Sequence, residues 1–252
     1  MDLEGALDLA APELVSFVGA GGKKTAMARL VAEGRGDRRI GYTTTAHMPP
    51  PDLQLVVRDV ARVEAAIEHR LAADVPLAFA SEYVEDPARV DEKVRGFDPD
   101  VVDALYAAGH FDWLLVKADG ARMREFKAPD VDEPPVPTAS TVVVPVASAR
   151  AIGNVLSEAV VHRPERVATI APVAIGDVIT PDVVGRVLAS ESGGGKNAPE
   201  SARVIPMINK ADDDALRDRA RDALAVAFDR TDRFDRGLVT SFETGTMSVV
   251  ST

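Results

Sequence analysis

Short apolar runs alternate with amphipathic stretches along this chain. Residues 14–18 (LVSFV) lie between Pro12 and a glycine cluster, a pattern that predicts a buried strand. Residues 25–32 (TAMARLVA) then have helical character and stop near Gly34. Further strands are expected at 39–42, 53–57, 76–80, 113–118, 141–146, 204–208 and 238–240. Helices are expected at 60–71, where apolar residues recur at 60, 63, 67 and 71, and at 99–108, 149–161, 181–189 and 214–228. Residues 82–97 are charged and fit neither period. Pro49, Pro50 and Pro51 must be loop. Residues 192–201 contain three consecutive glycines and read as a mobile surface loop. Short apolar strands separated by helices predict an α/β fold, a three-layer, mostly parallel, doubly wound sheet. Residues 1–252 read as one domain, with ligands expected at the carboxyl ends of the strands.

Three segments carry candidate chemistry. The first is Gly19-Ala20-Gly21-Gly22-Lys23-Lys24-Thr25, placed after a strand and opening a helix. Glycines let successive backbone N–H groups close around an anion, the helix start adds positive potential, and a lysine reaches the outer phosphates. A dinucleotide-binding loop would need a third glycine where Lys24 stands, and an acid after the second strand, where Tyr42 and Thr43 stand. A Walker A loop fits its end at Gly22-Lys23, with Phe17 in place of the first glycine. Lys24 then occupies the metal-binding Ser/Thr position, and Thr25 is next in line. A plain strand–helix turn is the bland alternative. The balance favours a sheet of the P-loop NTPase type.

The second segment is Asp119-Gly120 at the end of the 113–118 strand, where a Walker B aspartate would hold Mg²⁺. An Asp-Gly turn is the alternative. The third is Asn209-Lys210-Ala211-Asp212, the N-K-x-D pattern of guanine-specific GTPases. Its carboxylate accepts from guanine N1–H and the exocyclic amine, and adenine offers no such pair. With 3 Asn, 7 Lys and 25 Asp in the chain, chance supplies about 0.01 such matches. A helix cap is the alternative. Ser241, after the last strand, is placed to back the base. Thr43, Thr44 and Thr45 end the second strand, and Thr45 is a further candidate for metal or γ-phosphate. Arg122, Arg124, Lys127 and His162 are candidate contacts for an anionic substrate. Lys23, Lys24, Lys117, Lys127 and Lys210 fall in or beside these motifs, five of only seven lysines.

Composition narrows the choices. The absence of cysteine excludes disulfides, thiolate metal sites and a cysteine nucleophile. His47, His69, His110 and His162 lie far apart, so no local histidine motif for a metal is present. A net charge of −11 argues against nucleic acid and anionic membranes as partners. The acidic, Asp-rich, Lys-poor balance fits a halophile or a GC-rich genome. Met1-Asp2-Leu3-Glu4 lacks the basic start of a secretory signal, and no run approaches the roughly 20 apolar residues of a membrane span. A soluble cytoplasmic protein is expected.

The segments VGAGGKKT, TTTAHMPP, VKADGARMREFKAP, VHRPERV and INKAD, in that order over nearly the whole chain, resemble the YqeC-type family. That family is associated with an accessory role for selenium-dependent molybdenum hydroxylases. The resemblance implies a P-loop nucleotide-binding fold and a part in maturing such an enzyme. Gly19, Gly21, Gly22 and Lys23 match the family's GxGGKT loop; Asp119, Gly120, Lys127, Ala128 and Pro129 its D-G…K-A-P segment; His162, Arg163, Pro164 and Glu165 its HRPE; Asn209, Lys210 and Asp212 its NKxD. Lys24 departs from the expected Thr.

The leading expectation is a slow Mg²⁺-dependent triphosphatase preferring GTP to ATP. Lys23 and the amides of Gly19–Thr25 would hold phosphates, Asp119 with Thr25 or Thr45 the magnesium, and Arg163 the transition-state charge. The alternatives are a phosphotransferase or nucleotidyltransferase acting on a small molecule, and a carrier that binds a nucleotide or molybdenum cofactor without turnover. A molybdenum hydroxylase or its cofactor is the expected partner, and a homodimer is left open.

Overall fold

The computed structural model describes residues 1–85 and 92–252. Part of the ambiguous 82–97 segment therefore lies outside the described residues. The central sheet contains β1 (Glu13–Gly19), β2 (Ile40–Thr44), β3 (Gln54–Val57), β4 (Leu77–Ala80), β5 (Trp113–Lys117), β6 (Val142–Ser148), β7 (Met207–Asn209), β8 (Arg236–Ser241) and β9 (Thr246–Ser251). Their order is β9-β8-β7-β6-β1-β5-β2-β4-β3, and Arg203–Val204 also pairs beside β6. Every pairing is parallel except the β8–β9 edge.

The side chains of the strands alternate between two cores, as a pleat with period two requires. Val15, Phe17, Trp113 and Leu115 face one core with α1 (Leu3–Leu7) and α2 (Lys23–Gly34). Leu14, Val18, Leu114 and Val116 face the other. That core is covered by α3 (Val60–Arg70), α4 (Pro99–Ala107), α5 (Pro164–Ile170), α6 (Pro181–Ala189) and α7 (Asp214–Phe228). The expected three-layer, mostly parallel α/β sheet is present, and β1 lies at its centre with β5 and β6 as neighbours. The carboxyl ends of β1, β5, β6 and β7 thus converge on one edge.

The segment from 149 to 165 departs from expectation. The helix expected over 149–161 is a single 3₁₀ turn, Ala149–Ala151, followed by turns. There the backbone bonds outward instead: Gly153 N–H donates to Ile179 O (2.8 Å), and Val155 bridges Val178. His162-Arg163-Pro164-Glu165 opens a helix outside the expected set: Pro164 occupies the first turn of α5, where its missing N–H costs nothing. The glycine-rich segment 192–201 is a series of turns. Gly194 N–H donates to Val187 O (2.8 Å) and Asn197 Nδ2 to Pro134 O (2.9 Å). Among the described residues, no helix is long and apolar enough to cross a membrane.

Candidate nucleotide site

The glycine loop is built against its neighbours. Ala20 N–H donates to Val146 O on β6 (2.8 Å), and Gly19 N–H donates to Asp119 Oδ2 (2.8 Å). At Gly22, φ is +142° and a Cβ would stand 2.2 Å from Asn209 Nδ2. At Gly21, φ is +86° and a Cβ would stand 2.6 Å from Ser148 Cβ. Only glycine satisfies both conditions. Helix α2 starts at Lys23, and Gly22 caps it without a side chain. Among the described residues, nothing accepts from the N–H groups of Gly21, Gly22, Lys23, Lys24 or Thr25. Five consecutive free amides at the start of a 12-residue helix are available to an anion, as a cradle would require.

Beneath the cradle lies a buried carboxylate among lysines. Lys23 Nζ is 2.7 Å from Asp119 Oδ1 and donates to Gly19 O. Lys127 Nζ is 3.0 Å from Asp119 Oδ2, and donates to Gly120 O and Glu133 Oε2 (both 2.8 Å). Glu133 accepts both Arg163 Nη1 (2.7 Å) and Nη2 (3.0 Å). Arg163 Nε lies 3.3 Å from Asp130, which also pairs with Arg166. A chain of alternating charge thus runs from the loop to the surface. Its middle is set by a short parallel pairing of Phe126–Lys127 with Val161–His162, which places the two family segments side by side.

The charges shift as these surroundings require. Burial alone would raise the Asp119 carboxyl, but the Lys23 and Lys127 ammoniums outweigh it and hold it below its usual range. Burial pulls the Lys23 ammonium down, against the attraction of Asp119. Burial and the Lys23 charge push Lys117, which donates to His47 O (2.8 Å), down to about 7. Burial raises Glu133, but its hydrogen bonds to Arg163 and Lys127 win and bring it to about 2. Burial and the Arg163 charge lower His162.

Asp119 Oδ1 is buried and, despite its lysine neighbour, has no aligned hydrogen-bond donor among the described residues. That oxygen fits one carboxylate contact to a magnesium ion that arrives on phosphates and keeps its waters. Thr25 is exposed on α2. Thr45 donates its hydroxyl proton to Pro135 O (2.7 Å) and keeps its lone pairs. Thr43 and Thr44 donate to Phe79 O (2.8 Å) and Lys117 O (2.6 Å).

The N-K-x-D segment follows β7 on the same edge. Asn209 Nδ2 donates to Gly21 O (3.0 Å), and its Oδ1 accepts from Thr240 (3.0 Å), so it buttresses the glycine loop. Lys210, at φ +59°, pairs with Glu125 (2.7 Å). Asp212 accepts from Ser241 (2.6 Å) and from Arg150 Nε (2.8 Å). Arg150 also bonds Glu243 (2.9 Å). Burial raises the Asp212 carboxyl, and the Ser241 and Arg150 hydrogen bonds bring it below its usual range.

The structure therefore brings together Gly19, Ala20, Gly21, Gly22, Lys23, Asp119, Lys127 and Asn209, with Asp212 beside Ser241. Lys24, Arg122 and Arg124 are exposed and make no ion pair among the described residues. Sequence reading missed Glu125, Glu133 and Arg150: Glu125 and Arg150 join through the distant Lys210 and Asp212, and Glu133 links Lys127 to Arg163.

The family model for the YqeC protein matches residues 15–165. The chain is also 32% identical over 204 residues to the uncharacterized protein YqeC of Escherichia coli K12, spanning 79% of this chain and 76% of that protein. The chain belongs to the YqeC family. The family match spans the glycine loop, Asp119, Lys127 and Arg163, and stops short of Asn209. For a YqeC chain, the buried lysine–carboxylate cluster thus lies within the matched segment, and the N-K-x-D segment lies beyond it.

Proposed function

We propose that this YqeC chain binds a magnesium-complexed nucleoside triphosphate, with GTP preferred to ATP, and hydrolyses it slowly. The observation that carries this reading is the cradle of five free amides above the Lys23–Asp119 pair. Lys23 and the amides would hold the phosphates, and Asp119 the magnesium, which would offset phosphate charge. Asp212, backed by Ser241, would accept the guanine edge once Arg150 gives way. Slow turnover follows from the lack of a glutamine to orient the attacking water: the only one, Gln54, lies on the edge strand β3. Arg163 is committed to Glu133 and Asp130, so a role in charge stabilisation would require it to change partners. The resemblance points to a molybdenum hydroxylase or its cofactor as client, and a chain without cysteine would act there through its nucleotide state.

One observation favours a second reading, transfer to a small acceptor. An open cleft of about 720 Å³ lies at the carboxyl ends of β2 and β4, lined by Thr45, His47 and Asp98 among others. Thr45 N–H donates to Lys117 O, two residues before Asp119. A second substrate there would adjoin the outer phosphate.

Calorimetric titration with Mg·GTP and Mg·ATP in high potassium chloride tests the primary reading. GTP should bind roughly 30-fold tighter, about 2 kcal/mol, and Asp212→Asn should erase the difference. Equal binding would remove the guanine assignment, and no binding would remove the nucleotide assignment. Turnover that requires an added acceptor would favour transfer over hydrolysis.

A further inference from the structure

Away from the glycine loop, three potential metal donors converge. Glu64 and Glu68 stand one turn apart on α3, and His110 comes from the connection between α4 and β5. Their donor atoms all lie within 4.8 Å of one another. His110 Nε2 is 3.6 Å from Glu64 Oε1 and 3.8 Å from Glu68 Oε1. Both separations exceed hydrogen-bond range.

A second observation concerns the imidazole alone. Nε2 of His110 is shut off from solvent and has no hydrogen-bond partner among the described residues. Phe111, itself buried, meets the imidazole edge-on at 6.4 Å between ring centres. A shielded ring nitrogen with no partner is costly and calls for an explanation. Bonds of about 2.0–2.2 Å to nitrogen and oxygen place two ligands of a tetrahedral zinc ion about 3.4 Å apart. The observed separations exceed that by a few tenths of an ångström. Both glutamates are half exposed on a helix surface, so their side chains have room to close the gap. Magnesium and calcium prefer all-oxygen donor sets, whereas an imidazole with two carboxylates suits zinc and its neighbours.

We propose that Glu64, Glu68 and His110 form a three-ligand site for a divalent transition metal of the zinc type. The fourth position is left to water. The site lies at the amino end of β5, whereas the glycine loop adjoins the carboxyl ends of the strands, so it is separate from the nucleotide site. Bound metal staples α3 to the start of β5. Residues 64, 68 and 110 are too far apart in sequence for any local metal motif to reveal them.

The test is calorimetric titration of the full, chelator-treated chain with Zn²⁺ alone, paired with thermal melting. Wild type should take up one equivalent and melt several degrees higher with zinc. Glu64→Gln/Glu68→Gln, at exposed helix positions that leave the core intact, should bind at least about tenfold more weakly and lose the melting shift. His110→Ala should do the same. Zinc uptake unchanged in the double variant would overturn the proposal, as would no uptake by wild type. An equal melting shift with Mg²⁺ would also overturn it, since the nitrogen ligand would then be irrelevant.

Discussion

Glu133 holds two cations at once, and one of them, Lys127, is almost wholly buried. Because its folded pKa of about 2 lies below the usual 4.5, its contribution to stability is complete above that usual value and is lost as pH falls toward 2. Glu133→Gln should therefore flatten the acid limb of stability between those values. It should also lower stability near neutral pH by about 2 kcal/mol in urea unfolding, discounted for a side chain that is 29% exposed. Lys117 is also lowered on folding, by burial, so it costs stability at neutral pH. Its ammonium titrates near 7 in the fold and at about 10.5 when unfolded, so the unfolded chain binds more protons between those values. Stability should rise with pH across that window, and Lys117→Met should abolish the rise. A rise of equal size in the variant would show that other groups cause it.

At the scale of elements, the contact that most directly controls the proposed base site joins the turn after β6 to the N-K-x-D loop. Arg150 is 46% exposed and shares itself between Asp212 and Glu243, so its hold on Asp212 is worth under about 1 kcal/mol. Arg150→Ala should free Asp212 and tighten GTP by roughly three-fold without changing ATP. A weaker GTP complex would mean that Arg150 contacts the ligand instead. The strands were legible because buried parallel strands are continuous apolar runs, as in LVSFV and WLLVK. Edge strand β9 was not, because its half-buried face alternates with polar residues and it pairs only with β8. Over 149–161 the apolar residues Ile152, Leu156 and Val161 do reach the core, but the backbone bonds to residues 177–179 instead of to its own turns, which the spacing does not reveal.

At the scale of the molecule, local motifs were legible and the groups that tune them were not. Gly19–Gly22 and Asn209 act through backbone shape and close packing, which short sequence patterns encode. Glu125 and Arg150, and Glu133 in its bond to Arg163, act through pairings that the tertiary fold creates and that no spacing in sequence marks. The net charge of −11 opposes the approach of a polyphosphate, so the lysine-rich cradle must overcome the field of the whole molecule. Added potassium chloride should therefore weaken nucleotide binding less than it does for a basic protein. If raising the salt tenfold instead weakens Mg·GTP by more than about tenfold, local attraction dominates the field.

The most direct test of the central claim is titration of folded wild type and Lys23→Met with Mg·GTP, with circular dichroism confirming the fold of both. Loss of the ammonium beside the five free amides should weaken binding by at least about 100-fold, near 2.7 kcal/mol. Equal affinity in the two proteins would place the triphosphate elsewhere and contradict the account.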